Sequence, residues 1–182
     1  FAVLVVNSDY RHEDLSFTHL TDFQDIMIAG RAFSDLYGRT VSLKELMDYP
    51  LVSMEKGTMT RQFFDRFFQN HHLSPEPDIE LATTDLIVPV ITGGLGIGMV
   101  PEPFARAALT QGQIFRLTLK EAIPRREICL ISISPSFTGE ALFNIFQIID
   151  KFFDTLAGHT AYFKMDGTGR SDFFRPISCA SS

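Results

Sequence analysis

Tryptophan is absent, and cysteine occurs only at Cys129 and Cys179. Two cysteines far apart in the chain give neither the spacing of a zinc knuckle nor the density of a disulfide-stapled secreted domain. A reduced compartment is the simplest setting. Cys129 lies in an apolar run and reads as a small buried residue. No apolar run reaches the roughly 20 residues that a membrane-spanning helix needs. Charge of one sign is not concentrated anywhere. The net charge of −6 over 182 residues weighs against this segment itself gripping a phosphate backbone. A Gly-x-Ser-x-Gly nucleophile elbow is missing, the five histidines form no metal set, and nothing points to a catalytic pair of carboxylates. The chain therefore reads as a non-enzyme, with no catalytic residue, metal or cofactor implied. An initiator methionine is lacking too. Phe1 opens inside a strand-like run, and the chain is expected to be a fragment.

What is present is an alternation of strand-like and helical patterns. Residues 1–6 form a continuous apolar run, read as a strand buried on both faces. The polar loop at 7–14 follows, and its Asn7, Ser8, Asp9 and Arg11 either border a ligand crevice or are simply solvated. Residues 17–21 alternate like a half-exposed strand, and 25–29 give a second, more apolar one closed by Gly30. Ser42 and Glu45 make a capping box that starts a short helix, and 50–54 follow as a strand. Met59, Phe63, Phe64, Phe67 and Phe68 recur at helical spacing. With flanks of mixed charge, that stripe belongs in a core rather than on a base-stacking platform. Residues 78–82 return as a strand, 104–109 as a short helix, 114–119 as an alternating strand and 126–134 as a long isoleucine-rich strand. Thr138 caps a last helix whose apolar stripe runs from Leu142 to Leu156, and Gly158 ends it. From His159 the periodicity stops, and 158–182 reads as a tail outside the domain. This order predicts an α/β fold with a largely parallel sheet in each lobe.

Residues 81–103 carry the most information. Thr83, Thr84 and Asp85 lead into an apolar helical run at 86–91. Gly93, Gly94 and Gly96 follow, then a strand-like 97–100, then Pro101, Glu102 and Pro103. A dinucleotide fingerprint needs its glycines after a strand and at the opening of a helix. Here they come at a helix C-terminus, where glycine ends the helix in a tight turn.

This stretch resembles the second half of the effector-binding domain of LysR-type transcriptional regulators. The resemblance extends from about Phe1 to about Leu156 and is strongest over 49–117. It implies an α/β fold of the type 2 periplasmic-binding-protein-like kind: two Rossmann-like lobes with a cleft, the first lobe incomplete because its opening strand and helix precede the position of Phe1. Residues 1–30 and 101–157 then make the partial first lobe and 31–100 the second, with Gly30 and Pro101 at the hinge. The implied function is effector sensing: a small, anionic molecule bound between the lobes modulates transcription. The implied protein is a cytoplasmic homo-oligomer, dimer or tetramer, which reaches DNA only through a helix-turn-helix domain absent from this chain. An extracytoplasmic solute-binding protein of the same fold, serving a transporter, is the alternative. An enzyme on a related scaffold is a third reading.

Two helix starts are dressed with hydroxyls. Thr58 and Thr60 stand at the start of the phenylalanine-rich helix with Arg61 beside them, and Thr83 and Thr84 at the helix entered at Asp85. Free N–H donors and a partial positive charge suit a carboxylate, phosphate or sulfate there, and Arg61 could pair an anion bidentately. Ordinary N-capping explains the same residues, so the residue types alone leave both readings open. The resemblance assigns Thr58, Thr60, Thr83 and Thr84 to effector contact by position and leaves Met59 out. Pro89 departs from the family pattern, because it removes an early helical hydrogen bond and predicts a displaced first turn around Asp85.

Overall fold

A computed structural model describes residues 2–6, 16–132 and 147. Its longest element is one strand of 15 residues, β2 (Ser16–Gly30), which has different neighbours along its length. The first half pairs antiparallel with β9 (Arg125–Ser132), from Ser16↔Ser132 to Gln24↔Arg125. From Asp25 onward β2 pairs on its other edge with β6 (Ile97–Pro101), Asp25 opposite Pro101 and Ala29 opposite Ile97. Its last three residues also take β7 (Ile114–Arg116), on the edge that β9 has left. β1 (Ala2–Val6) flanks β9 antiparallel. Beyond β6 lie β4 (Leu51–Met54) and β5 (Ile79–Leu81), both parallel, which gives the order β1-β9-β2-β6-β4-β5. A separate parallel pair joins β3 (Thr40–Val41) to β8 (Thr118–Leu119).

Burial along β2 follows its sequence. The mixed residues 16–22 stay partly or fully exposed, whereas 25–30 are buried throughout. A strand covered by helices on both faces is apolar at nearly every position. Met27 and Ala29 enter one core with Phe63, Phe64, Phe67 and Phe68, while Ile26 and Ile28 enter another with Val52, Ile87, Ile91, Val100 and Ala105. Hence α1 (Leu43–Leu46) and α2 (Met59–Gln69) cover one face, and α3 (Ile87–Thr92) and α4 (Glu102–Thr110) the other. The buried phenylalanines of α2 are each worth about 2–3 kcal/mol, so packing rather than propensity holds that helix.

Several sequence expectations are modified. The strands read at 17–21 and 25–29 are one strand, because β9 and then β6 supply continuous pairing across 22–24. The strand read at 114–119 breaks at Leu117, whose N–H donates to the Met27 carbonyl at 2.9 Å. Among the described residues, parallel pairing is confined to β4, β5 and β6 and to the β3–β8 pair; the partners of β2 and β9 there are all antiparallel. The capping box is half formed. Ser42 Oγ accepts from the Glu45 N–H, but the Glu45 carboxylate pairs with Arg39 instead. Pro89 shows its expected effect: a 3-10 turn (Thr84–Leu86) precedes α3, since proline cannot donate to the Asp85 carbonyl. The glycine segment is the tight helix-to-strand turn expected, with Gly94 at φ +77°. α4 and β7 share a core with Ile26, Ile28 and Val100, so residues 102–119 pack against both β2 and β6. The expected helix at 138–156, apart from the helical residue 147, the loop at 7–14 and the tail lie outside the described residues.

Gly30 ends β2 beneath α3. A Cβ there would sit 2.2 Å from the Ile91 carbonyl oxygen, whereas one at Gly38 (φ +71°) would meet nothing within 4 Å. Gly30→Ala is expected to lower stability by at least about 2 kcal/mol through overpacking, and Gly38→Ala by only about 1 kcal/mol through backbone strain. Chemical denaturation of both variants checks this ranking, and equal losses contradict it.

Candidate functional site

Ligand crevices of open α/β sheets lie beyond the carboxyl ends of the parallel strands. Those ends are Met54 in β4, Leu81 in β5 and Pro101 in β6, and Met54 is level with Leu81. From Met54 the chain turns into α2, and from Leu81 into the 3-10 turn, so both threonine pairs emerge at one end of the sheet. The two connections are joined directly. The Glu55 N–H donates to the Leu81 carbonyl at 2.9 Å, and Thr84 Oγ1 lies 3.7 Å from Met54 Sδ.

The hydroxyls differ in what they are engaged by. Thr58 Oγ1 accepts from the Arg61 N–H and donates to the Glu55 carbonyl, both at 3.1 Å, so it caps α2. Thr83 is exposed and makes no capping bond with its side chain. Thr60 is half-buried in the first turn of α2. Arg61 is buried, and its guanidinium turns toward the sheet edge. It donates to Asp65 at 2.8 Å, to Glu80 at 2.6 Å and to the Met54 carbonyl at 3.1 Å. Beside it lies a cavity of about 480 Å³ lined by Lys56, Arg61, Asp65, Gln69 and Glu80, among others. Burial works against the Arg61 charge, but the bonds to Glu80 and Asp65 prevail and raise its pKa. The Arg61 hydrogen bond holds the Glu80 carboxyl below its ordinary value. Of the two hinge candidates, Gly30 packs against Ile91, and Pro101 stands opposite Asp25 where β2 changes partner.

Sequence reasoning missed the pair at that change. Arg126 Nη1 donates to Asp25 Oδ2 at 3.2 Å, with the two side chains 1% and 0% exposed. The guanidinium carbon lies 5.1 Å from the Phe23 ring centroid and 4.8 Å from that of Phe63. Its Nη2 is 3.4 Å from Thr60 Oγ1. One side chain from β9 is thereby held by β2 and by α2. Among the described residues, Asp25 Oδ1 and Arg126 Nε have no hydrogen-bond partner. Burial pushes the Asp25 carboxyl up, while the charge and hydrogen bond of Arg126 pull it the other way. A signal was available: Asp25 is the one ionisable residue in the run 25–30, and Arg126 opens the isoleucine-rich strand.

A central strand that changes partner at Asp25, with the parallel strands β4, β5 and β6 beyond it and helices on both faces, is the α/β architecture of the type 2 periplasmic-binding-protein-like class. The chain belongs to the LysR substrate binding domain family, whose model matches residues 2–150. Over 87 residues it is 28% identical to the HTH-type transcriptional activator CmpR of Synechocystis, covering 48% of this chain and 29% of that protein. The match thus spans under a third of the length of that relative. The regulatory domain of Synechocystis CcmR, solved in complex with 2-PG, superposes with a TM-score of 0.64 at 20% identity, covering 86% of this chain and 73% of that one. The effector binding domain of QuiR with shikimate gives 0.63 at 17% identity, covering 86% and 70%. These likenesses share the fold. Among the described residues no cluster of His, Cys, Asp or Glu could hold a metal ion, and no helix is long and apolar enough to cross a membrane.

Asp25→Ala strands a buried guanidinium and is expected to cost about 3–5 kcal/mol; Glu80→Gln, whose own side chain is exposed and which leaves the buried Arg61 still bonded to Asp65 and the Met54 carbonyl, is expected to cost far less. Their pH dependences have opposite sign. Glu80 is depressed, so its contribution is complete above the ordinary glutamate pKa of about 4.3 and is lost as pH falls through the lower folded value. Asp25 is raised, so its contribution is present below the ordinary aspartate pKa of about 3.9 and is lost as pH rises through the higher folded value. On acidification, the stability of the wild type should fall relative to Glu80→Gln and rise relative to Asp25→Asn. Urea denaturation across that range checks both slopes, and a shared sign contradicts them.

Proposed function

We propose that this chain is the effector-sensing part of a LysR-type transcription factor, which binds a small anionic molecule beyond the carboxyl ends of β4, β5 and β6. The observation that carries this reading is the convergence of Thr60, Thr83, Thr84 and the buried Arg126 on that end of the sheet. The small molecules named with the CcmR and QuiR domains support it. Thr60, Thr83 and Thr84 contact the ligand, while Thr58 and Arg61 hold the start of α2. The crossing between lobes lies between Gln24 and Asp25, opposite Pro101, and the return crossing enters β9 at Arg125.

The whole protein works in the cytoplasm as a homo-oligomer, dimer or tetramer, and meets DNA through a helix-turn-helix domain outside this chain. Effector occupancy favours one lobe arrangement by differential affinity and so shifts its population. No turnover of the ligand is involved.

Titration calorimetry against a panel of small organic acids and phosphate esters tests the assignment. Thr60→Val and Thr84→Val each remove one hydrogen bond to the ligand and should weaken binding about fivefold, with circular dichroism unchanged. Affinity unaltered by both substitutions contradicts the location of the site.

A further inference from the structure

A guanidinium offers a carboxylate or phosphate two parallel N–H bonds along its end (Nη1 with Nη2) or along its side (Nε with Nη2). Arg126 uses neither edge as a fork. Nη1 is engaged by Asp25, Nη2 reaches Thr60 Oγ1 only at a long 3.4 Å, and the buried Nε has no acceptor among the described residues. The guanidinium also lies over the rings of Phe23 from β2 and Phe63 from α2, so the group is held by both elements. A buried donor left unpaired costs about 1–3 kcal/mol, and simple cross-bracing of the strands does not require it.

We infer that the Nε–Nη2 edge of Arg126 is the oxyanion-binding element of the cleft, and that it takes one carboxylate or phosphate group of the effector side-on. This rests on the cleft reading above. The Thr60 hydroxyl beside Nη2 donates a further bond, and the amino end of α2 adds its partial positive charge. Asp25 is a positioning residue. By engaging Nη1 it leaves the side edge open, and the two anionic groups address different edges of one cation. Because the Arg126 side chain is only 1% exposed, an oxyanion reaches it only when the groups covering its Nε–Nη2 edge separate while α2 stays bonded to it through Thr60. Binding therefore discriminates between two arrangements of the lobes, as an effector must.

The test is calorimetric titration of the wild type, Arg126→Lys and Thr83→Val with inorganic phosphate and with glycolate. Lysine keeps the charge but loses the fork. The wild type should bind at least one probe, and Arg126→Lys should weaken it about tenfold or more. Whichever probe binds better says whether the group is phosphoryl or carboxyl. In wild-type protein labelled with 15N-arginine, the Nε–H signal with cross-peaks to the Phe23 and Phe63 rings should shift on saturation, a readout independent of how the variants fold. Binding kept in Arg126→Lys, an unmoved Nε–H signal, or no binding of either probe by the wild type overturns the inference. If Thr83→Val weakens binding while Arg126→Lys does not, the cleft reading stands and only the role of Arg126 falls. If neither does, both fall.

Discussion

The buried bond between Asp25 and Arg126 sits where β2 exchanges one partner for another. Up to Gln24 that strand belongs with β9, and from Asp25 it belongs with β6. Changing partners exposes the end of each ladder, and a cation with its counter-ion fills the junction. Taking both charges out of water is expensive, so the junction is not a generic patch of core. Phe23 and Phe63 cover the guanidinium, and the charge is neutralised inside the shell they form. The bond also sets which elements must move together. Arg126 is fixed to β9, Asp25 to β2, and Thr60 with Phe63 to α2.

The remaining site geometry follows from strand direction. Because β4, β5 and β6 are parallel, their carboxyl ends share one edge of the sheet. The helix starts that follow β4 and β5 are brought there without further contrivance. The threonines are then divided by their immediate surroundings. Thr58 is spent on capping, Thr84 lies against Met54, and Thr83 remains free of any side-chain cap. Arg61 shows the same sorting among cations, since two carboxylates and a carbonyl occupy it at the sheet edge while Arg126 keeps a donor unused.

Much of the fold was legible in the sequence because burial periodicity is local. The stripe of Phe63, Phe64, Phe67 and Phe68, the glycine turn after α3 and the proline-shifted turn at Thr84 follow from residues a few positions apart. The threonine pairs were legible for the same reason, since a helix start declares itself nearby. Arg126 and Asp25 were not. Their significance depends on partners about a hundred positions away in the chain, and no local pattern reports that. Strand direction around β2 was likewise invisible, because alternation specifies faces and not partners.

The most direct measurement is a 15N–1H chemical-shift titration of the protein with small organic acids and phosphate esters. Binding beyond the carboxyl ends of β4 and β5 predicts that the backbone amides of Thr60, Arg61, Thr84 and Asp85 move together and saturate at one affinity. Shifts centred instead on Gln69, Ser74 and Glu76, around the cavity at the sheet edge, would contradict the account.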